Sequence, residues 1–176
     1  LPIIDISTNF YAGTARDDAA KPGVAGITRH LMTLGAAGLS DEKISKQFAD
    51  VGAQLGGGID DDKSSLKLRT LSSALERDKA LDLYIKILQK PDFPDDVLAR
   101  EKARVIAGLK EAATQPETIA DKAFSKALFG AHPYGINAEP EQVDQINRYD
   151  VQKFYRTYYG AQGAVIALIG DMSREQ

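Results

Sequence analysis

The chain has 176 residues, 43% of them apolar and 27% charged, with a net charge of −3; these are ordinary values for a globular protein, and the length suits one substantial domain. With Lys and Arg scattered among the acids, nothing points to nucleic acid or an anionic membrane as a partner. The absence of cysteine excludes disulfides, thiolate catalysis and Cys-ligated metal sites, and no apolar run is long enough to span a bilayer.

The opening segment LPIIDISTNFYAG alternates Ile4, Ile6 and Phe10 and predicts a strand closed by Gly13. The chain starts inside this pattern, which suggests a fragment of a longer protein. Pro22 suits the first turn of a helix. Val24, Ile27, Leu31 and Leu34 recur at helical spacing, and the Gly35–Gly38 turn ends it. Ser40 is the N-cap of a second helix, with Asp41 and Glu42 at its positive end and Ile44, Phe48 and Val51 as its buried stripe. Two strands then flank an acidic turn at Asp60–Asp62, with Leu66, Leu68 and Thr70 facing one way.

A third helix places Leu81, Tyr84, Ile85 and Leu88 inward, and Pro91 and Pro94 break the chain. A long helix from about Asp95 to Ala113 carries the stripe Leu98, Val105, Leu109 and Ala112, and another ends at Gly130. After the loop AHPYG come a short helix and one around Val151, Phe154 and Tyr158. GAVIALIGD then reads as a buried strand, central in the sheet. The pattern predicts a single α+β domain over residues 1–176, with a mixed, mainly antiparallel sheet and helices mostly on one face.

The segment GITRH is the one place that approaches a catalytic motif. Positions i, i+3 and i+4 of a helix share a side, so Gly26, Arg29 and His30 stand together. A zinc site of the H-x-x-E-H type uses that spacing: two imidazoles bind the metal and the carboxylate activates a water. Here glycine offers no ligand, arginine is permanently cationic and takes no proton, and only His30 fits. A hydrogen-bonded, partly buried helix histidine is the plainer role for it. His132 precedes a proline in a loop, where a ring bonded to backbone is the expected state. The Gly56–Gly58 run lacks the Gly-Lys-Ser/Thr of a phosphate loop, and either weakens a strand or lets another backbone approach a sheet edge. Asp60–Asp62 lacks the alternating spacing of a calcium loop and reads as a solvated hairpin turn.

The order of motifs resembles the M16 metallopeptidases, the relatives of pitrilysin, insulinase and mitochondrial processing peptidase. The resemblance runs from FYAGTARDDAAKPGVAGITRHLMTLGAAG through FPDDVLAREKARVIAGLKEAATQP and HPYG to VDQINRYDVQKFYRTYYGAQGAVIALIGD, nearly the whole chain. It implies the half-domain fold shared by LuxS and M16 metallopeptidases. It also implies a position-by-position loss of the metal site. The first zinc histidine falls on Gly26, the general-base glutamate on Arg29 and the distal zinc glutamate on Gly108. His30 is the remnant second histidine, and Glu101 matches an acidic position that supports the site.

The resemblance therefore implies a non-catalytic subunit without zinc of its own. Such a subunit pairs with an active homologue that carries an intact H-x-x-E-H and zinc, or with itself, to enclose a peptide-binding chamber. Arg29, Gly56, Gly57 and Gly58 are the candidate substrate or partner contacts. Two other roles stand beside it: an active zinc endopeptidase with atypical ligands, and an architectural subunit like the core proteins of a respiratory complex. By the same resemblance a second domain would follow, and the bacterial periplasm or cell envelope is the expected location.

Overall fold

The computed structural model describes residues 1–173. In chain order its elements are β1 (Ile3–Phe10), a 3-10 turn (Thr14–Arg16), α1 (Val24–Leu31), β2 (Gly35–Ala36), β3 (Leu39–Ser40), α2 (Asp41–Asp50), β4 (Gln54–Ile59) and β5 (Ser64–Leu71). Then follow α3 (Ala74–Gln89), α4 (Asp95–Ala112), α5 (Pro116–Phe129), a second 3-10 turn (Pro133–Gly135), α6 (Pro140–Asp144), α7 (Arg148–Tyr158) and β6 (Val165–Gly170).

Four strands form one sheet in the order β4-β5-β1-β6, and every pairing in it is antiparallel. The two faces differ as alternation requires. Ile4, Ile6, Thr8 and Phe10 of β1 and Leu66, Leu68 and Thr70 of β5 are buried on one face. Lys67 and Arg69 of β5 stand exposed on the other, where Arg69 forks onto Asp5 at 2.7 and 2.9 Å. The helices supply the rest of the core: Val24, Ile27 and Leu31 from α1, Ile44 and Phe48 from α2, Val97 and Leu98 from α4, Val151 and Phe154 from α7. Tyr84 of α3 is buried with its hydroxyl satisfied, donating to Thr8 Oγ1 or the Leu66 carbonyl at 2.8 and 2.9 Å. The expected α+β class, with an antiparallel sheet and a half-domain architecture, is the architecture found.

Three details depart from the sequence pattern. The Gly35–Gly38 turn is a miniature hairpin, β2 with β3, that Ala37 (φ 51°) and Gly38 (φ 77°) close in the left-handed region. In α3 the inward residues are Ala80, Leu83, Tyr84 and Ile87, whereas Ile85 is 45% exposed. The apolar stripe of α3 is broad enough that spacing alone leaves its centre ambiguous by one residue. Finally, among the described residues β6 is an edge strand and not a central one: it pairs there with β1 alone, and all six of its residues are exposed. An apolar run without charges reads as central because it could be covered on both faces, but in the described residues neither face of β6 is.

Candidate functional site

The site is built on α1. The helix starts at Gly23, whose φ of 101° only glycine adopts easily, and its cap comes from outside. The Asp17 carboxylate accepts the backbone N–H groups of Gly23 (2.6 Å) and Ala25 (2.7 Å), orphan donors at the helix start. Burial pushes the Asp17 carboxyl up to about 6, against the two backbone bonds that favour its ionised form. Nothing within the helix or immediately before it announces this cap. The acid stands six residues upstream of the glycine it bonds, beyond the reach of local capping rules.

One turn along, Gly26 is half-buried, and no atom lies within 4 Å of where a Cβ would stand. Arg29 is the opposite case, buried at 8% exposure. Its Nε donates to the Ser65 carbonyl at 2.8 Å and its Nη2 to the Gly56 carbonyl at 3.0 Å, joining α1 to two adjacent strands. Among the described residues it has no ion-pair partner, and burial draws its pKa down. The contact explains the middle glycine of the run. Gly57 has φ 121°, and a Cβ there would lie 2.1 Å from the Ser65 carbonyl oxygen and 2.7 Å from Arg29 Nη2. Beside it the Gly58 N–H bonds to Ser65 Oγ at 3.0 Å. The strand therefore deforms where the guanidinium meets it.

His30 is half-buried, with Nε2 3.1 Å from Glu101 Oε2. Glu101, on α4, is 6% exposed and also accepts from Arg104 Nε at 2.7 Å. Burial opposes its ionisation, but the Arg104 hydrogen bond and the neighbouring charges outweigh that and hold the carboxyl below its usual range. Burial likewise holds His30 below its usual range, and Arg104 and Arg29 add to the effect against the pull of Glu101. The neutral ring thus donates Nε2–H to the carboxylate. Gly108, about two turns beyond Glu101 on α4, is exposed, with open space around a Cβ position.

The residues present do not fit a catalytic zinc ion. Gly26 and Gly108 have no donor atoms, the Arg29 guanidinium would repel the cation, and the Nε2 of His30 is engaged by Glu101. Among the described residues no group of three His, Cys, Asp or Glu side chains stands where it could hold a metal ion.

The other candidates lie apart. His132 Nδ1 accepts the Tyr134 N–H at 3.3 Å, the ring-to-backbone bond expected of it, and its ring packs against Phe129 and Tyr134. The acidic turn is exposed but is more than a solvated loop. The carbonyls of Asp62, Asp60 and Asp61 accept the N–H groups of Gly13, Thr14 and Ala15, and the Tyr134 hydroxyl bonds Asp62 at 2.7 Å. A Cβ on Gly13 would collide with Asp61 and Asp62 backbone at 2.3–2.4 Å, so the turn docks on the first 3-10 turn only because residue 13 has no side chain. Sequence spacing brings none of these partners together.

The sequence model of the insulinase family of peptidases, M16, matches residues 5–139. An uncharacterized zinc protease of Rickettsia bellii is 21% identical over 97% of this chain, which spans 42% of that protein. A solved structure described as the peptidase M16 inactive domain of Pseudomonas fluorescens is 35% identical and superposes with a TM-score of 0.95. It covers 99% of this chain, which spans 43% of that one. The periplasmic protease PqqL of Escherichia coli shares the fold at 14% identity and a TM-score of 0.83, over 99% of this chain and 20% of its own.

Proposed function

The chain belongs to the M16 peptidase family, and from that premise we propose that it is a non-catalytic half-domain. In this role it pairs with an active, zinc-bearing M16 homologue and completes a chamber that binds peptide. The observation that carries the proposal is Arg29. The position that would need a carboxylate to activate water holds a guanidinium committed to two backbone carbonyls. The inactive domain of Pseudomonas fluorescens, similar over nearly the whole chain, supports the same reading.

In this reading β4 carries the peptide contact. It is one end of the sheet, and Gly56, Gly57 and Gly58 leave its edge free of bulky side chains. Arg29 holds that edge in place from behind. The chain is then one domain of a longer subunit. A cell-envelope location fits the periplasmic relative, and among the described residues no helix is long and apolar enough to cross a membrane.

The test is a peptidase assay of the purified protein alone and mixed with an M16 homologue that carries H-x-x-E-H, with elemental analysis of each. The expected result is no stoichiometric zinc and no turnover alone, and faster turnover by the homologue in the mixture. Chelator-sensitive activity of the isolated protein would overturn the proposal.

A further inference from the structure

Arg29 carries a charge that the described residues do not balance. A guanidinium taken out of water is ordinarily paired with a carboxylate, because desolvating a lone cation is costly. Arg29 is buried at 8% exposure, and no carboxylate pairs with it among the described residues. Its two hydrogen bonds, from Nε to Ser65 and from Nη2 to Gly56, both end on neutral carbonyls. The third nitrogen, Nη1, has no bond there. It is not sealed in either. Among the described residues the only enclosed side-chain polar atoms without a partner are Thr28 Oγ1 and Thr70 Oγ1, so Nη1 keeps contact with solvent.

The neighbourhood offers room and no competing anion. Gly26 shares the helix side of Arg29, and no atom lies within 4 Å of where its Cβ would stand. Glu101 of α4 is engaged elsewhere: it accepts from Arg104 at 2.7 Å, stands 3.5 Å from Arg100 and bonds His30. Asp41 pairs with Arg100 at 3.1 Å. Arg29, Arg100 and Arg104 thus outnumber Glu101 and Asp41, and Arg29 is the one left over. The guanidinium also lies against the middle of β4, where Nη2 bonds the Gly56 carbonyl and stands 2.7 Å from the Cβ position of Gly57. A strand added to β4 would run about 4.8 Å beyond it. Gly56, Gly57 and Gly58 put no side chain between that strand and Arg29.

We infer that Arg29 Nη1 receives the carboxylate of an acidic residue in a peptide paired along β4, so that Arg29 makes the chain selective for acidic peptides; this rests on the chamber reading above. The charge of Arg29 selects this ligand. A hydrogen bond from a guanidinium to a carboxylate is roughly twice as strong as one between neutral groups, and the carboxylate brings the counter-charge that Ser65 and Gly56 do not. A glutamine of the same shape brings an acceptor without the charge. A free carboxylate such as acetate brings the charge without the backbone pairing to β4, so the two sources of the group can be told apart.

The full-length protein is titrated into short fluorescein-labelled peptides followed by anisotropy, with and without the homologue, kept zinc-free so that it cannot cleave. Each peptide is built of alanine and serine and carries one glutamate, moved from position to position, and each has a glutamine twin. At one position the wild type should bind the glutamate peptide about tenfold more tightly than its twin. Gly26→Glu sets a carboxylate one turn from Arg29, in open space, and should erase the preference, whereas Gly26→Gln should keep it. Neither substitution removes a bond that Arg29 makes. Twins that bind alike at every position, or a preference that survives Gly26→Glu, overturn this inference and leave the chamber reading standing. Acetate that shifts the Arg29 Nε resonance while the twins bind alike marks a site for a free carboxylate and overturns the inference as well. No peptide bound by the wild type, with or without the homologue, overturns the chamber reading and this inference with it.

Discussion

At the scale of single residues, two ionisable groups on α1 and at its start report on the fold in opposite directions. Burial raises Asp17 from 3.8 to about 6, so between those values the folded chain keeps a proton that the unfolded chain releases. Its contribution to stability therefore falls as pH rises from about 4 to about 6. The folded-state pKa of His30 is depressed below 6.5, so its contribution is intact above the unfolded value and is lost as pH falls through 6.5 and below. Urea midpoints measured across pH 4 to 8 should separate the two. Asp17→Asn should abolish the destabilising slope on the way up from acid, and His30→Gln should abolish the loss on the way down from neutral. A wild-type profile that neither substitution alters would remove both assignments. The same residues mark the limit of the sequence. That Arg29 cannot act as a base follows from its chemistry alone. That it bonds the carbonyls of residues 56 and 65 depends on a tertiary meeting no local pattern encodes.

At the scale of elements, the glycine run of β4 makes the sharpest prediction. Gly57→Ala puts a methyl group 2.1 Å from a carbonyl oxygen at a φ of 121° and should cost about 2–4 kcal/mol. Gly56→Ala and Gly58→Ala meet nothing within 4 Å and should cost under about 1 kcal/mol each. Chemical denaturation of the three variants checks the ordering, and equal costs would mean that Arg29 does not set the shape of the strand. Elements with a clean period were legible in the sequence. β1, α2 and β5 lie where their apolar spacing puts them, because one face of each is buried; α4 lies where expected too, but of its stripe only Leu98 is buried, with Val105, Leu109 and Ala112 half-buried. The residue composition of β6 was legible and its place was not. Hydrophobicity states that a strand needs cover, not which neighbour supplies it. The exposure of Ile119, Phe124 and Leu128 on α5 was hidden for a related reason: periodicity finds an apolar face without saying which way it turns.

At the scale of the whole molecule, the sheet of the described residues ends on two unlike strands. β4 carries three glycines in its six residues. β6 presents Val165, Ile166, Leu168 and Ile169 at 49–73% exposure, a row of the kind that recruits other strands. Ile169→Lys places a charge on the open face, opposite Asp5 across the β1–β6 ladder. It should reduce self-association in light scattering while shifting stability by no more than ~0.5 kcal/mol. Unchanged self-association would show that the β6 edge does not recruit copies of the chain.

The ladder between β1 and β6 also sets the order of events during synthesis. Asp5 faces Ile169, and the Asp171 N–H bonds the Ile3 carbonyl at 3.0 Å, so β1 must wait for a neighbour made much later in the chain. On the ribosome, β1 can meet β5 early, but its other side stays bare until more than a hundred residues have been added between the two partners. For that interval β1 is itself an open edge of the sheet. This is the window in which a chaperone, or a pause in translation, has the most to change.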